Sequence, residues 1–343
     1  MFKYLFFRVF AKGFGYFPTK MLQHLSRQKL IVPLFHTVSD APLLHIKHIY
    51  EPRTTAQFRA DIDFFLKNYK ALNIHNLLND SILPRKEAHF LLTFDDGMSE
   101  LYDIVMPILQ EKGVSATIFL NPDFVDNKSL FYRHKVSLLI EKWQNMNPSV
   151  ALQQEIRALF LQEKLPFTTF SESLLAETQH KHIPFLDMLA AKIEVSFEEY
   201  LAKQQPYLSL AQIQDMQKKG FTFGAHSLNH PQYSHISLAE QIRQTQESME
   251  FVLQNVPNSP KTFAFPFTDF EVSADFFQYF QHSYPLDLTF GCAGLKKREY
   301  PTHIQRVECE KGAYNMVDIV NTEYVYYMLS AFIGKHKVPR RFF

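Results

Sequence analysis

The amino-acid sequence predicts an α/β protein with a parallel sheet and a long helical insertion. Short apolar runs typical of buried strands alternate with amphipathic helices, and this alternation indicates βαβ units. Polar clusters follow several of these strands at the point where each strand ends. Between about residues 126 and 206, strand signals become scarce and helical periodicity dominates. A chain of 343 residues is long enough to bury a sizeable core.

Both ends of the chain are basic and aromatic. Residues 1–29 carry six lysines and arginines and no acidic residue, with apolar side chains at helical spacing between them. Such a segment suits either a helix packed on the protein's own surface or a helix that contacts a membrane. We therefore predict an N-terminal segment over residues 1–29, a main domain over 30–325 and a C-terminal tail over 326–343.

The main domain begins with alternating strands and helices. Strands are predicted at 30–35, 90–94 and 116–120, because each is a short apolar run bounded by polar or turn residues. Helices are predicted at 58–69 and 102–112, the second of which ends at a glycine. This half of the domain therefore reads as successive βαβ units.

The insertion is predicted to be helical, and strands and helices alternate again after it. Inside the insertion, helices are predicted at 136–143 and 149–162, and we expect the insertion to form a lid over the site. Ser209 and Ser237 each begin a capping box, in which the serine and the Gln or Glu three residues later satisfy each other's backbone donors. The helices that follow are predicted to end near residues 220 and 253. Further strands are predicted at 221–225, 262–265 and 305–309.

Composition and charge exclude several classes of protein. The net charge of +1 gives no indication of nucleic-acid binding. Two cysteines are too few for a disulfide framework, so we expect a cytoplasmic location, with the inner face of the membrane as an alternative. The N-terminus lacks the pattern of a signal peptide, and no run of eighteen apolar residues predicts a membrane span.

Three short sequence clusters each lie at the end of a predicted strand. They are 93–97 (Thr-Phe-Asp-Asp-Gly), 226–231 (His-Ser-Leu-Asn-His-Pro) and 263–267 (Phe-Ala-Phe-Pro-Phe). The carboxyl ends of parallel strands meet on one face of the sheet, where active sites lie, so we expect the clusters to be close in space. The first or second cluster alone is more often a solvated turn or a hydrogen-bonded loop.

Together, the first two clusters predict a catalytic metal site. Two imidazoles and one carboxylate, from His226, His230 and Asp96, form a common open site for one divalent cation. Zinc suits this ligand set, with cobalt and nickel as alternatives. Asp95 remains free to act as the general base that removes a proton from water.

These motifs resemble those of the polysaccharide deacetylases with NodB homology, carbohydrate esterase family four. The resemblance extends over residues 30–310 apart from the insertion. It implies a distorted (β/α)7-type barrel, with Asp95 as base and the cation held by the three ligands above. It also implies that the backbone N–H of Phe267 stabilises the tetrahedral oxyanion.

The sequence departs from the family pattern at two places. The third motif usually contains an Arg that orients the catalytic Asp, but Ala264 stands at that position. The late Leu-x-His motif, whose His is the general acid, has no clear copy. We consider His303 and His282 as the acid, and Arg306 as a residue that stabilises the oxyanion.

Two further histidines were weighed as site residues. His36 follows the first predicted strand and could reach the rim of the pocket, or could be a hydrogen-bonded structural residue. His134 lies on the insertion, where contact with substrate is the less favoured interpretation.

The leading functional prediction is a metal-dependent hydrolase that removes an N- or O-linked acetyl group from a sugar. Its substrate would be a cell-surface polysaccharide or a lipid-linked precursor, and the basic ends predict peripheral membrane contact. One alternative is a deacylase of a small amide or a formamido sugar, and another is a glycan-binding module without activity. The presence of Asp95 argues against the binding module, since a metal site alone does not need it.

Overall fold

The computed structural model describes residues 2–79, 87–297, 299–312, 314–338 and 340, and two compact units are distinguished. The first, which we call the barrel unit, comprises Met1–Asp40, Pro52–Val125 and Tyr207–Phe343. The second, the insertion unit, comprises Ala41–Glu51 and Asp126–Pro206. Residues 41–51 therefore belong with the predicted insertion, although no pattern in these residues indicates it.

The barrel unit contains nine helices and ten strands among its described residues. The helices are α1 (Phe2–Phe14), α2 (Thr19–Ser26), α3 (Thr55–Asn68), α4 (Ile74–Leu78), α5 (Met106–Glu111), α11 (Leu210–Lys218), α12 (Leu238–Asn255), α13 (Ala274–His282) and α14 (Met316–Phe332). The strands are β1 (Leu30–Ile31), β2 (Pro33–Phe35), β3 (Lys70–Leu72), β4 (His89–Phe94), β5 (Ala116–Leu120), β6 (Thr222–Ala225), β7 (Thr262–Ala264), β8 (Leu288–Gly291), β9 (His303–Gln305) and β10 (Val307–Glu308).

The strands form one parallel sheet that nearly closes into a barrel. Their order is β10-β2-β4-β5-β6-β7-β8-β9, with β1 and β3 also paired to β4. The two outer strands, β9 and β10, are joined by the single residue Arg306, so the chain itself links the two edges. β1 and β2 together form one interrupted strand, and so do β9 and β10. Counted in this way, the barrel path has seven strands. The predicted (β/α)7-type barrel with a helical insertion is confirmed.

The barrel strands are buried on both faces, as parallel strands covered by helices usually are. All six residues of β4 and all five of β5 are buried. One buried cluster combines side chains from several strands and includes Leu91, Phe119, Phe290 and Ile304. Because the strands are fixed by this packing, the residues that follow their carboxyl ends are held in defined positions.

The insertion unit is helical, and its helices are α6 (Tyr132–Asn145), α7 (Val150–Gln162), α8 (Phe170–Glu177), α9 (Ile183–Lys192) and α10 (Phe197–Gln204). Serine and threonine caps begin three of them, because the side chains of Ser149, Thr169 and Ser196 accept hydrogen bonds from free backbone N–H groups. Its core is aromatic, with Phe160 against Phe185 and Trp143 stacked on Phe170 at 4.4 Å. The proposal that this unit acts as a lid stays a prediction.

The chain ends are helical where the structure describes them. Phe6, Phe7 and Ala11 of α1 are buried, and the Phe6 ring lies 5.5 Å from the ring of Tyr326 in α14. The helix α14 crosses residue 325, where we placed the start of a tail, and Arg341, Phe342 and Phe343 lie outside the described residues. No described helix combines the length and the apolar character that a bilayer span requires.

Several predicted elements differ in detail. The predicted strand at 30–35 is two short strands, and that at 305–309 is shifted and broken at Arg306. The capping box at Ser209 is complete, whereas at Ser237 the serine accepts its bond but Glu240 pairs with Arg243 instead. The predicted helix at 102–112 begins as a wider π-helical turn, Leu101–Val105, before α5.

Candidate active site

The two adjacent acids follow β4 directly. Asp95 and Asp96 are 2% and 7% exposed, and the backbone at Asp96 and Gly97 has φ of +68° and +61°. A Cβ at Gly97 would lie 2.9 Å from Leu120 Cδ2, so glycine provides both the left-handed conformation and the close approach. This sharp turn places both carboxylates at the carboxyl end of the barrel.

The two histidines follow β6 in a loop that is fixed by hydrogen bonds. His226 Nδ1 lies 2.8 Å from the carbonyl oxygen of Ala264, a contact that requires Nδ1–H and leaves Nε2 with its lone pair. The backbone N–H of His230 donates to Ser227 Oγ at 3.0 Å. Asn121, directly after β5, donates to the carbonyl oxygens of His226 and Ser227. The loop is therefore held before any ligand binds.

The three predicted ligands come together. The candidate ligand atoms of Asp96, His226 and His230 all lie within 4.8 Å of one another. Asp96 Oδ1 lies 3.3 Å from His230 Nε2 and 3.7 Å from His226 Nε2. Ligand atoms at about 2.1 Å from a tetrahedral zinc ion are roughly 3.4 Å apart. Asp96 Oδ1 is buried and accepts no hydrogen bond from the described residues, so a cation fits the chemistry of this donor set.

Four residues of this site have a left-handed backbone conformation. Four of the non-glycine residues with positive φ are Asp96, Ser227, His230 and Phe267, with φ between +57° and +68°. A left-handed conformation at such residues costs on the order of 1 kcal/mol or more each. The surrounding structure enforces these conformations, and the result is that the ligand and rim residues face one pocket.

Arg306 pairs with Asp95, and the prediction that it stabilises the oxyanion is therefore corrected. Its two terminal nitrogens donate to the two Asp95 oxygens at 2.6 and 2.8 Å, and its Nε donates to the carbonyl oxygen of Gly291. The guanidinium is fully buried and directed at the carboxylate. Arg306 thus contacts Asp95 from the junction between β9 and β10, whereas Ala264 has no side chain that could make this contact.

The two acids have opposite pKa shifts. Burial alone would raise the pKa of Asp95, but the charge and hydrogen bonds of Arg306, together with the charge of His36, outweigh it, so the pKa lies below its usual range. Burial raises the pKa of Asp96, and the nearby charge of His36 offsets this in part. Asp95 is therefore ionised at neutral pH. A cation bound to Asp96 would stabilise the ionised form of that carboxyl group, which burial disfavours.

His36 is close to both acids and has a partner of its own. Its Nδ1 lies 2.5 Å from Glu310 Oε2, while Glu310 Oε1 accepts the backbone N–H groups of His36 and Thr37. Burial lowers the pKa of His36, but Glu310 and the charges of Asp96 and Asp95 outweigh that effect and raise it to about 10. His36 therefore carries a proton at neutral pH.

His303 does not have the free ring nitrogen that a general acid requires, and this prediction is corrected. Its Nδ1 contacts Thr289 Oγ1 at 2.8 Å and its Nε2 contacts Asp269 Oδ2 at 3.0 Å. The ring is completely buried and packs on Phe277. The error arose because His303 is adjacent in sequence to the barrel end but begins β9, so that it lies at the opposite end of that short strand from Arg306.

The other candidate residues lie as follows. Phe267 packs its ring against His230, with the ring centroids 4.6 Å apart, and the role of its N–H stays a prediction. His282 is exposed at the end of α13. His134 is 1% exposed within the insertion unit, where it packs on His45 and Phe131.

The surroundings of Cys292 do not favour a nucleophilic role for its thiol. Burial raises the pKa of its thiol to about 12, so the thiolate is scarce at neutral pH. The sulfur lies 3.6 Å from an Arg306 nitrogen. Cys292 therefore packs beside the Arg306 guanidinium as a neutral thiol.

Several supporting residues were missed in the sequence. Asn121 and Glu310 each follow a strand, and this position was a usable signal. Asp269 accepts hydrogen bonds from His303, Gln305 and the backbone N–H of Cys292, and it also pairs with Arg340. Nothing in the local sequence distinguishes Asp269 from a solvated loop acid, because its partners are distant in the chain.

The protein is a nearly closed parallel α/β barrel with two histidines and two acids at the carboxyl ends of its strands. The sequence profile described as polysaccharide deacetylase matches residues 83–276, more than half of the chain. This protein belongs to the polysaccharide deacetylase family. Members of the family are enzymes that hydrolyse acetyl amide or ester bonds of sugars, and this chain is such a sugar deacetylase.

Solved structures share the fold at low sequence identity. The Streptococcus pyogenes deacetylase PplD, in complex with acetate, superposes with a TM-score of 0.54 at 14% identity, covering 85% of this chain and 98% of that chain. IcaB from Ammonifex degensii gives 0.52 at 12% identity, covering 86% and 97%. The de-N-acetylase from Aggregatibacter actinomycetemcomitans gives 0.50 at 11% identity, covering 84% and 98%. Comparison with curated proteins gives no match. At these identities the likeness shows the fold alone.

Proposed function

We propose that the protein is a metal-dependent deacetylase whose cation is held by Asp96, His226 and His230. The observation that carries this proposal is the convergence of three buried ligand atoms around Asp96 Oδ1, which accepts no hydrogen bond from the described residues. When bound, a divalent cation would lower the pKa of a water molecule and polarise the acyl carbonyl. Zinc, cobalt and nickel all suit the ligand set.

The residues around the ligands have separate tasks in this proposal. Asp95 accepts the proton of the attacking water, and the bidentate contact with Arg306 fixes the direction of its lone pairs. His226 is held in one tautomer through Ala264. The same contact orients its Nε2, which faces both acids.

We assign the general acid to His36. It is the described histidine that combines a raised pKa with electrostatic coupling to both Asp95 and Asp96. Glu310 keeps it protonated and fixes the ring through Nδ1, and a protonated imidazole can donate to the leaving amine or alkoxide. This replaces the late histidine of the family pattern.

We propose an acetylated polysaccharide, or its lipid-linked precursor, as the substrate. The family match supports a glycan, and the solved neighbour that carries acetate is described as a deacetylase. A small amide or formamido sugar is the alternative. The two hypotheses predict different substrate preferences. A polysaccharide deacetylase should give the larger kcat/KM with longer acetylated oligosaccharides, and a small-amide deacylase with small amides.

The test is acetate release from a panel of acetylated oligosaccharides and small amides, with and without chelator. The wild type is expected to lose activity with chelator and to regain it when a divalent metal is added. Asp95→Asn should reduce kcat by about 100-fold or more, since a positioned base contributes about that much. Asp63→Asn, an exposed acid on α3, is the matched control. Full activity in chelator would refute the metal dependence, and full activity of Asp95→Asn would refute the base.

A further inference from the structure

The N-terminal helices present an apolar face to solvent even though their inner face is already packed. Ten of the eighteen exposed large apolar side chains in the described chain lie on α1, on α2, between them, or at the end of α14. They are Leu5, Val9, Phe10, Tyr16, Phe17, Met21, Leu25, Leu329, Phe332 and Ile333. Tyr16 and Phe332 are 91% and 92% exposed, so the protein's own core does not account for them.

Contacts between α1 and α14 place these side chains in one region. Lys3 pairs with Glu323 at 2.7 Å, while Asn321, earlier in α14, donates to the carbonyl oxygens of Phe14 and Phe17. The two helices therefore run antiparallel, and the last turn of α14 lies beside the start of α1. The exposed residues of that turn thus extend the apolar face of α1.

The same surface is strongly basic. Arg8, Lys12, Lys20, Arg27 and Lys29 are all exposed, and the first acidic residue of the chain is Asp40. Arg8, Lys20 and Arg27 form no ion pair with another described residue. The face is therefore apolar and surrounded by positive charges that have no local partner. Such a face complements the interface of an anionic lipid bilayer, where charged headgroups cover an apolar interior.

A basic cleft adjoins this face. It has a volume of about 420 Å³, and its lining includes Lys20, His24, Lys29, Lys67 and Lys70. Glu87 is the acid in the lining, and it pairs with Lys70 at 3.0 Å. The cleft therefore keeps an excess of positive charge that suits a phosphate group.

We propose that the outer face of α1, α2 and the last turn of α14 docks the protein on an anionic lipid bilayer. The apolar side chains enter the boundary between headgroups and acyl chains, and the lysines contact lipid phosphates. A second copy of this chain suits the face less well, because a symmetric contact sets like charges such as Arg8 and Lys12 against each other.

The basic cleft of this face is separate from the candidate active site. Lys29 precedes β1 and Lys70 begins β3, so the cleft lies at the amino ends of the strands. The metal ligands follow the carboxyl ends, at the other end of the barrel. Vesicle binding is measured without the proposed reaction, so either proposal can fail without the other.

The test is co-sedimentation of the full chain with vesicles of phosphatidylcholine, with and without about 30% phosphatidylglycerol. We expect binding to the anionic vesicles, weakened by salt. Each unit of charge near an anionic surface contributes about fivefold to the partition coefficient. Lys29→Glu changes the charge by two units and should lower the coefficient by about 25-fold, whereas Val9→Asp changes it by one unit and should lower it by at least about fivefold. Lys29→Gln is a milder second variant, expected to lose about fivefold.

Matched controls lie on the insertion unit. Lys181→Glu and Val150→Asp make the same changes at exposed positions, and they should leave binding unchanged. All variants should retain activity on a soluble acetylated sugar, which shows that they fold. The proposal would be overturned if the wild type bound neutral vesicles as well as anionic ones. It would also be overturned if the control variants lost as much binding as Lys29→Glu and Val9→Asp. A dimer in analytical ultracentrifugation that Val9→Asp dissociates, while vesicle binding stays the same, would overturn it as well.

Discussion

Replacing Arg306 tests whether this residue lowers the pKa of Asp95, the proposed base. In Arg306→Met, Asp95 stays buried but loses the charge that opposes burial and two hydrogen bonds of 2.6 and 2.8 Å. An arginine beside an aspartate lowers the pKa of that aspartate by about 1–3 units, and each unit corresponds to about 1.4 kcal/mol. The pKa of Asp95 should therefore rise by about 1–3 units in the variant.

The assay is kcat/KM for a soluble acetylated sugar as a function of pH. Asp95 must be ionised to act as a base, so a higher pKa moves the acid limb of the profile to higher pH by the same amount. Arg306→Lys keeps a charge but not the paired geometry, and its limb should move less. An acid limb at the wild-type pH in Arg306→Met, with the metal still bound, would refute the reasoning.

The same pair contributes to folding stability. Because the pKa of Asp95 is lower in the folded protein, its ion pair stabilises the fold above the usual aspartate pKa of about 4. This contribution is lost as the pH falls through the folded-state pKa. Leaving Asp95 buried without its partner should lower the free energy of unfolding by about 3–5 kcal/mol in urea titrations at neutral pH. An unchanged free energy would show that the pair is not part of the folded protein.

Three further changes have defined outcomes. His36→Gln should lower kcat by about 100- to 10,000-fold and abolish the alkaline limb that a pKa of about 10 produces; an unchanged pH profile would exclude His36 as the acid. Asp269→Asn should lower the free energy of unfolding by about 3 kcal/mol in urea, because the charge that holds buried His303 is lost. This loss should persist in mild acid, since its partners hold the pKa of Asp269 below the usual range despite burial; a loss confined to high pH would contradict that assignment. Gly97→Ala should cost about 1–3 kcal/mol in thermal unfolding, because its Cβ meets Leu120 at 2.9 Å in a left-handed turn, and wild-type stability would show that the turn can relax.

The strands and helices with strong periodicity could be predicted from the sequence. The strand at 116–120 has the predicted bounds, and Ser209 begins a helix as its capping box indicates. By contrast, β8 and α13 were not predicted. Their segment, 274–291, is so rich in aromatic residues that helical and strand patterns are hard to distinguish.

The candidate ligands could be predicted because each follows a buried strand, and parallel strands bring their carboxyl ends together. The partners of those ligands could not. Arg306 reaches Asp95 across 211 positions of sequence, and Glu310 reaches His36 across 274. Such pairs depend on barrel closure, which residue spacing does not encode. His303 was misassigned for the same reason, since its direction depends on where β9 begins.

The most direct test is anomalous diffraction from crystals grown with zinc, measured above and below the zinc absorption edge. We predict one peak about 2.0–2.2 Å from an Asp96 oxygen and from the Nε2 atoms of His226 and His230. Zinc that is bound elsewhere in such crystals, with these three side chains directed apart and no peak between them, would contradict the proposed metal centre.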